Sequence, residues 1–210
     1  MNVVDSEEIK RALPGLPNDL YRILSEKGKL VDLPPGQMLL KEGYFVNALP
    51  FVLEGLLKVT SREEDKEILL YYINKGESCI MSFGACIANS TSKIYASTEK
   101  ESRILLVSAD TLIELIRNYP ALNTYFHQLY QNRYEELVEA IDQLVFKKFD
   151  ERLYQYLREK SKKLDTKELK TTHQEIARDT GTVREVVSRA LKKLEKEGKI
   201  SLTRNEIKII

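Results

Sequence analysis

The 210-residue chain carries 33 Lys and Arg against 32 Asp and Glu, a formal net charge of +1, and 42% of its residues are hydrophobic. That length suits two domains, each able to bury a core, and no apolar run approaches the roughly 20 residues a membrane-spanning helix needs. Two cysteines make no disulfide framework, and the N-terminus is too acidic and too broken by Pro for a signal peptide, so a cytoplasmic protein is expected.

Residues 1–28 read as helical, with amphipathic pieces at Ser6–Ile9 and Leu20–Leu24 separated by Pro14-Gly15-Leu16-Pro17. From Lys29 the texture changes to short apolar runs bounded by turn signals. Leu30–Leu33 precedes Pro34-Pro35-Gly36, Met38–Leu40 precedes Glu42-Gly43, and Phe51–Leu53 precedes Glu54-Gly55. Leu56–Val59 leads into a charged tip, Ser61 to Lys66, and Ile68–Ile73 ends at Asn74-Lys75-Gly76. Strands at this spacing predict an antiparallel barrel or jelly roll, closed by Ile104–Val107.

Ser108-Ala109-Asp110 opens a helical region, and a long helix is predicted from Ala121 to Val145. Leu122, Phe126, Leu129, Arg133, Leu137, Ala140 and Leu144 recur along it at three- and four-residue steps. Such a stripe packs a helix on its own barrel or forms the seam of a parallel coiled-coil dimer. Tyr130, Tyr134, Ile141 and Val145 broaden the apolar surface, so one helix could serve both contacts. The expectation is a homodimer through this stripe. Phe146 to Asp150 is the expected hinge, and Asp150–Lys163 the next helix, with Leu153, Tyr156 and Leu157 facing its core.

Thr171 to Ile210 is the most informative stretch. Thr172-His173-Gln174-Glu175 has the form of a capping box, Ile176 and Ala177 begin a buried face, and Gly181 fits a helix C-terminus that turns left-handed. Thr182-Val183-Arg184-Glu185 reads as a second capping box. Val183, Val186, Val187, Ala190, Leu191 and Leu194 then form an apolar face, while Arg184, Glu185, Ser188, Arg189 and Lys192 project elsewhere. Gly198 ends that helix, and Ile200 and Leu202, an Arg204-Asn205 turn, and Ile207 and Ile209 alternate as a β-hairpin. Two helices and a tight turn alone could be an ordinary helical corner; the hairpin makes the pattern a winged helix-turn-helix, with its second helix suited to a major groove. Charge agrees. Residues 146–210 hold 18 Lys and Arg against 11 Asp and Glu, or +7, which leaves 15 against 21, or −6, for the rest.

Barrel, long helix and winged helix-turn-helix in this order resemble the Crp–Fnr superfamily of bacterial transcription factors. The resemblance spans nearly the whole chain. It rests on Pro35-Gly36, Glu42-Gly43, Glu54 to Val59, Lys75-Gly76-Glu77, Gln174 to Ala177, Gly181 and, most specifically, Arg184 to Arg189. It implies an α+β fold: a jelly-roll sensor barrel over 1–120, a dimerisation helix over 121–145 and a DNA-binding domain over 146–210. It also implies a homodimer on near-palindromic double-stranded DNA, with RNA polymerase as a further partner. Arg184, Glu185 and Arg189 match the base-reading positions of the cyclic-AMP receptor type; Glu185, Ser188 and Arg189 match those of the fumarate–nitrate regulator type. Thr182 and Lys192 flank them as candidate DNA contacts. Glu185 could not close its capping box and read a base at once.

The departures are as informative. A cyclic-nucleotide cassette needs a Glu for the ribose and an Arg for the phosphate just after the Gly-Glu turn, but Ser78 to Cys86 supplies neither. Two cysteines cannot hold an iron–sulfur cluster of four thiolates, and both histidines, His127 and His173, lie outside the barrel. Haem ligation and a cupin-type metal site are therefore not expected, and no cofactor or metal is. No P-loop, Gly-x-Ser-x-Gly or Cys-x-x-Cys suggests an enzyme. An unidentified apolar effector near Met81, Phe83 and Cys86 stays open. So does a ligand-sensing, thiol-sensing or protein-interaction module without DNA affinity, although intact Arg184 and Arg189 argue against it. Cys79 and Cys86 read as small buried hydrophobes.

Overall fold

The computed structural model describes residues 5–63, 66–146, 148–203 and 206–210, with side chains at all of these except 66 and 142–146. Leu144 as a contact residue, Lys147 of the expected hinge and the Arg204-Asn205 turn therefore lie outside the described residues. The chain forms two compact units, Met1–Ser61 with Leu70–Tyr134, and Arg62–Leu69 with Glu135–Ile210.

In the first unit, α1 (Ser6–Ala12) starts where the Asp5 carboxylate accepts the Glu7 N–H, and α2 (Asn18–Lys27) follows the proline-bounded break. The strands are β1 (Lys29–Leu33), β2 (Met38–Leu40), β3 (Ala48–Glu54), β4 (Leu56–Glu63) and β5 (Lys66–Asn74). Helix α3 (Ile80–Ile87) intervenes before β6 (Tyr95–Thr98) and β7 (Ser102–Ser108). They form two sheets, ordered β1-β7-β3 and β2-β6-β4-β5. Of the two predicted forms this is the jelly roll, an open pair of packed sheets.

Why β3 reads as a continuous apolar run follows from where its two faces go. Val52 joins Leu57, Val59, Ile73, Ala96 and Ile104 in the core between the sheets. Its alternate residues Leu49, Phe51 and Leu53 point the other way, into a second core. With both faces covered, the apolar–polar alternation of a half-exposed strand is lost. Gly55 makes the turn into β4 at φ +98°, where a Cβ would sit 2.5 Å from the Glu101 carbonyl oxygen, so only glycine fits.

The second core is closed by helices. Ser108 caps α4 (Ala109–Asn118) by accepting the Thr111 N–H, and α5 (Pro120–Phe146) begins with Pro at its first position, where no N–H is needed. Leu112, Leu115, Leu122, Phe126 and Leu129 from these helices join Ile9, Leu20 and Leu24 against the sheet.

The second unit contains α6 (Phe149–Leu164), β8 (Glu168–Lys170), α7 (His173–Asp179), α8 (Arg184–Lys196), β9 (Ile200–Thr203) and β10 (Glu206–Ile209). The predicted hairpin is present and gains a third strand, the sheet running β8-β10-β9. Leu153, Leu157, Leu169, Ile176, Ala177, Val187, Leu191, Leu194, Ile200 and Ile207 share one core.

Candidate nucleic-acid interface

Helix α8 is presented by a corner whose chemistry is local. The first capping box is complete: Thr172 Oγ1 accepts the Glu175 N–H at 3.2 Å, and the Glu175 carboxylate accepts the Thr172 N–H at 2.7 Å. Thr171 adds a third bond to the same carboxylate at 3.0 Å. Burial raises the Glu175 pKa, but these hydrogen bonds outweigh it and hold the carboxyl below its usual range. At the far end of α7, Gly181 turns left-handed at φ +63° and the Thr182 N–H reaches back to the Ala177 carbonyl at 2.9 Å. That bond closes the tight turn between the helices. Asp179, 5% exposed, accepts the Tyr156 hydroxyl at 2.5 Å and lies 3.7 Å from Lys160 Nζ, which ties α6 to α7.

The second capping box does not form. Val183, not Thr182, is the N-cap of α8, and its side chain has nothing with which to accept a backbone N–H. Val183 is also 59% exposed rather than part of the core face. One residue of offset moves Glu185 out of the capping position and removes the conflict between capping and reading. Beyond it the periodicity is as expected: Val187, Ala190, Leu191 and Leu194 are buried. Arg184, Glu185, Arg189 and Lys192 are exposed, and Thr182 and Ser188 are half-buried. At about 100° per residue, positions 184, 185, 188, 189 and 192 fall on one side of the helix. Ser188 Oγ donates to the Arg184 carbonyl at 2.9 Å and lies 2.8 Å from His173 Nδ1. Lys199, just beyond the end of α8, is paired with Glu197 at 2.7 Å.

This geometry meets its counterpart in known proteins. A family profile described as the Crp-like helix-turn-helix domain matches residues 151–210, and one described as the cyclic nucleotide-binding domain matches residues 30–119. The chain belongs to the Crp–Fnr family of transcription regulators. It is 25% identical over 175 residues to the cAMP-activated global transcriptional regulator CRP of Salmonella typhimurium, covering 80% of this chain and 83% of that one. A Crp/Fnr-family regulator from Eubacterium rectale shares the fold with a TM-score of 0.81 at 24% identity, over 92% of this chain and 90% of that one. The c-di-GMP responsive global regulator CLP of Xanthomonas campestris does so at 0.79 and 21% identity, over 90% and 97%. The chain is thus a DNA-binding transcription regulator.

In this Crp–Fnr protein the long helix presents a buried face and an exposed apolar face, and the expected interface stripe needs correction. Leu122, Phe126, Leu129 and Arg133 are 0%, 2%, 6% and 7% exposed, turned onto their own sheet and unavailable to a second copy. Leu137 and Ala140, further along the same stripe, are exposed. About a quarter turn from the buried face, Tyr130, Tyr134, Leu137, Val138 and Ile141 form an exposed apolar ridge. The stripe had merged two surfaces because steps of three and four residues drift slowly around a helix.

The nucleotide cassette is rebuilt from groups that bond inward. Ser78 Oγ donates to the Pro50 carbonyl at 2.7 Å, and Cys79 Sγ caps α3 by accepting the Ser82 N–H at 3.4 Å. Glu77 accepts from the Asn74 N–H at 2.8 Å and from Arg133 at 2.6 Å, with the Arg133 guanidinium 4.7 Å from the centre of the Tyr71 ring. The helix that follows carries no charged side chain. These residues do not fit a cyclic nucleotide: the Arg133 guanidinium is spent on Glu77, and that carboxylate is spent on Arg133 and Asn74.

Met81, Phe83 and Cys86, expected to line an effector pocket, do not all converge: Phe83 and Cys86, three apart on α3, pack into one core, whereas Met81, two from Phe83, faces away from it. Met81 is 40% exposed, whereas Phe83 stacks on Phe126 with ring centres 3.9 Å apart. Cys86 is in the core, its thiol donating to the Val46 carbonyl at 3.5 Å. Burial, with a smaller contribution from Cys79, pushes the Cys86 thiol up to about 11. A buried thiol held protonated is a poor redox sensor.

Proposed function

We propose that the protein acts as a homodimer that sets one α8 in the major groove of each half of a near-palindromic operator, without help from a cyclic nucleotide. The observation that carries this reading is the division of α8. Four apolar residues anchor it in the core, while Arg184, Glu185, Arg189 and Lys192 stand exposed on the opposite side. Arg189, a little over one turn from the helix start, suits guanine O6 and N7; Glu185 suits the cytosine N4 amino group. Arg184, Thr182 and Lys192 flank them, where side chains and the helix N-terminus meet phosphates.

The exposed ridge on α5 supports the dimer, since aromatic and aliphatic side chains at heptad-like spacing suit a helix–helix seam. Two α8 helices joined in this way would address half-sites roughly 34 Å apart. A proposed division at 1–120, 121–145 and 146–210 assigns these roles to sensor-type sandwich, dimer helix and DNA reader. The test is selection of bound sequences from random DNA. It should return a palindrome with half-sites about one helical turn apart; a set of unrelated sequences would refute the reading.

A further inference from the structure

We infer that His173 of α7 fixes the hydrogen-bond polarity of Ser188 on α8, so that Ser188 recognises base amino groups only. The inference rests on the proposed placement of α8 in the major groove and adds to it a chemical class of base at one position.

A serine hydroxyl has one proton to donate and two lone pairs with which to accept. Free to rotate, it can serve a base donor or a base acceptor, which is why serine usually reads DNA ambiguously. Here the oxygen lies 2.9 Å from the Arg184 carbonyl and 2.8 Å from His173 Nδ1. Two arrangements of protons are possible, and both give the same answer. If Nδ1 carries hydrogen, it donates to Ser188, the serine proton goes to the Arg184 carbonyl, and one lone pair is left outward. If Nδ1 is bare, the serine proton is held by Nδ1, and both lone pairs remain. In neither case does Ser188 have a proton for the groove. It can only accept.

In the major groove the only base donors are the N6 amino group of adenine and the N4 amino group of cytosine; guanine and thymine present acceptors there. Ser188 therefore favours adenine or cytosine on the strand it faces. The imidazole is held in place by sequence-local chemistry. His173 is the first residue of α7, directly after the Thr172 cap, and Ile176 and Ala177 bury that helix in the same core as Val187. His173 is thus a positioning residue that acts through Ser188 and need not touch a base.

The experiment uses the full chain and its selected operator, with affinity measured by fluorescence anisotropy. Ser188→Ala first locates the half-site position at which discrimination collapses. At that position the wild type should prefer adenine or cytosine about fivefold, the worth of one net hydrogen bond of about 1 kcal/mol. Replacing that adenine with 2-aminopurine, whose amino group lies in the minor groove, or that cytosine with a base lacking the N4 amino group, should abolish the preference. His173→Ala should free the hydroxyl and let thymine or guanine be accepted there, leaving other positions unchanged. His173→Asn, whose amide can replace the contact made by Nδ1, should restore the preference. A wild type that prefers thymine or guanine at this position overturns the inference, as does a His173→Ala protein with unaltered discrimination. So does one weakened equally on every sequence with a flatter salt dependence, which would make His173 a phosphate contact. If Ser188→Ala alters no position while Arg189→Ala alters one, this inference falls and the DNA reading stands. If the wild type shows no sequence preference at all, the DNA reading itself falls.

Discussion

Helices α3 and α8 occupy comparable places, each opening after a turn at the heart of its own unit, and they use their side chains in opposite ways. In and around α3, Ser78, Cys79, Glu77 and Arg133 all bond within the protein, and the helix carries no charge. In α8 the apolar residues do the packing and the charged ones are left to the surface. A fold survives as long as its apolar pattern does, because burial supplies most of its stability. A binding function survives only where polar groups are kept from pairing internally. The sandwich has kept its architecture and spent its polar groups on itself; the helix-turn-helix has kept both.

The sharpest way to break this comparison is to truncate the aromatic stack that fills the sandwich side. Phe126→Ala should destabilise the protein by about 3–5 kcal/mol in denaturant unfolding, as a large buried ring does. Tyr134→Ala, on the exposed ridge of the same helix, should cost the monomer no more than roughly 0.5 kcal/mol. Leu137→Lys with Ile141→Lys should yield a folded monomer in sedimentation; a persistent dimer would remove the ridge as the interface. Arg133 comes next. Its side chain is 6% exposed and that of Glu77 21%, so Arg133→Ala leaves a mostly buried carboxylate without its cation and should cost about 3 kcal/mol. Arg133→Met together with Glu77→Gln should recover most of that loss. A single variant as stable as wild type would show that the pair does not hold α5 to the sheet.

Much of this architecture was legible in the sequence, and the exceptions have physical causes. Short apolar runs bounded by turn residues marked the sandwich strands, alternation marked the C-terminal hairpin, and the Thr172 and Glu175 pair marked the start of α7. Helix α3 was not legible: Ile-Met-Ser-Phe-Gly-Ala-Cys-Ile has no polar face for a period to show. Strand β8, three residues with one buried side chain, is too short to signal itself. The α5 stripe was seen, but sequence could not say that its first half faces the chain's own sheet. Nor could spacing pair Arg133 with Glu77, 56 residues apart. On α8, helical periodicity places Arg184, Glu185, Arg189 and Lys192 away from the apolar face, and all four are exposed. The contact of His173 with Ser188 joins two helices 15 residues apart, and no local signal marks it.

On the DNA side, Arg189→Ala should lose about 1–3 kcal/mol of discrimination at one base pair per half-site. Equal weakening on all operator variants would make Arg189 a backbone contact. Smaller still is the cap. Thr172→Ala should cost about 1 kcal/mol of stability, visible in thermal unfolding. Glu175, whose folded pKa lies below its unfolded value, contributes stability that is present above the unfolded pKa and lost as pH falls through the folded one. Stability should therefore decline on acidification below about pH 5, starting from the usual glutamate range, and Glu175→Gln should flatten that decline.

The most direct test of the central claim is a titration of the wild-type protein with its selected operator, run with and without saturating cyclic AMP. A regulator whose DNA-reading face is intact and whose nucleotide cassette is internally bonded should bind the operator specifically in both titrations, with the same affinity. Specific binding that appears only when cyclic AMP is added would contradict it.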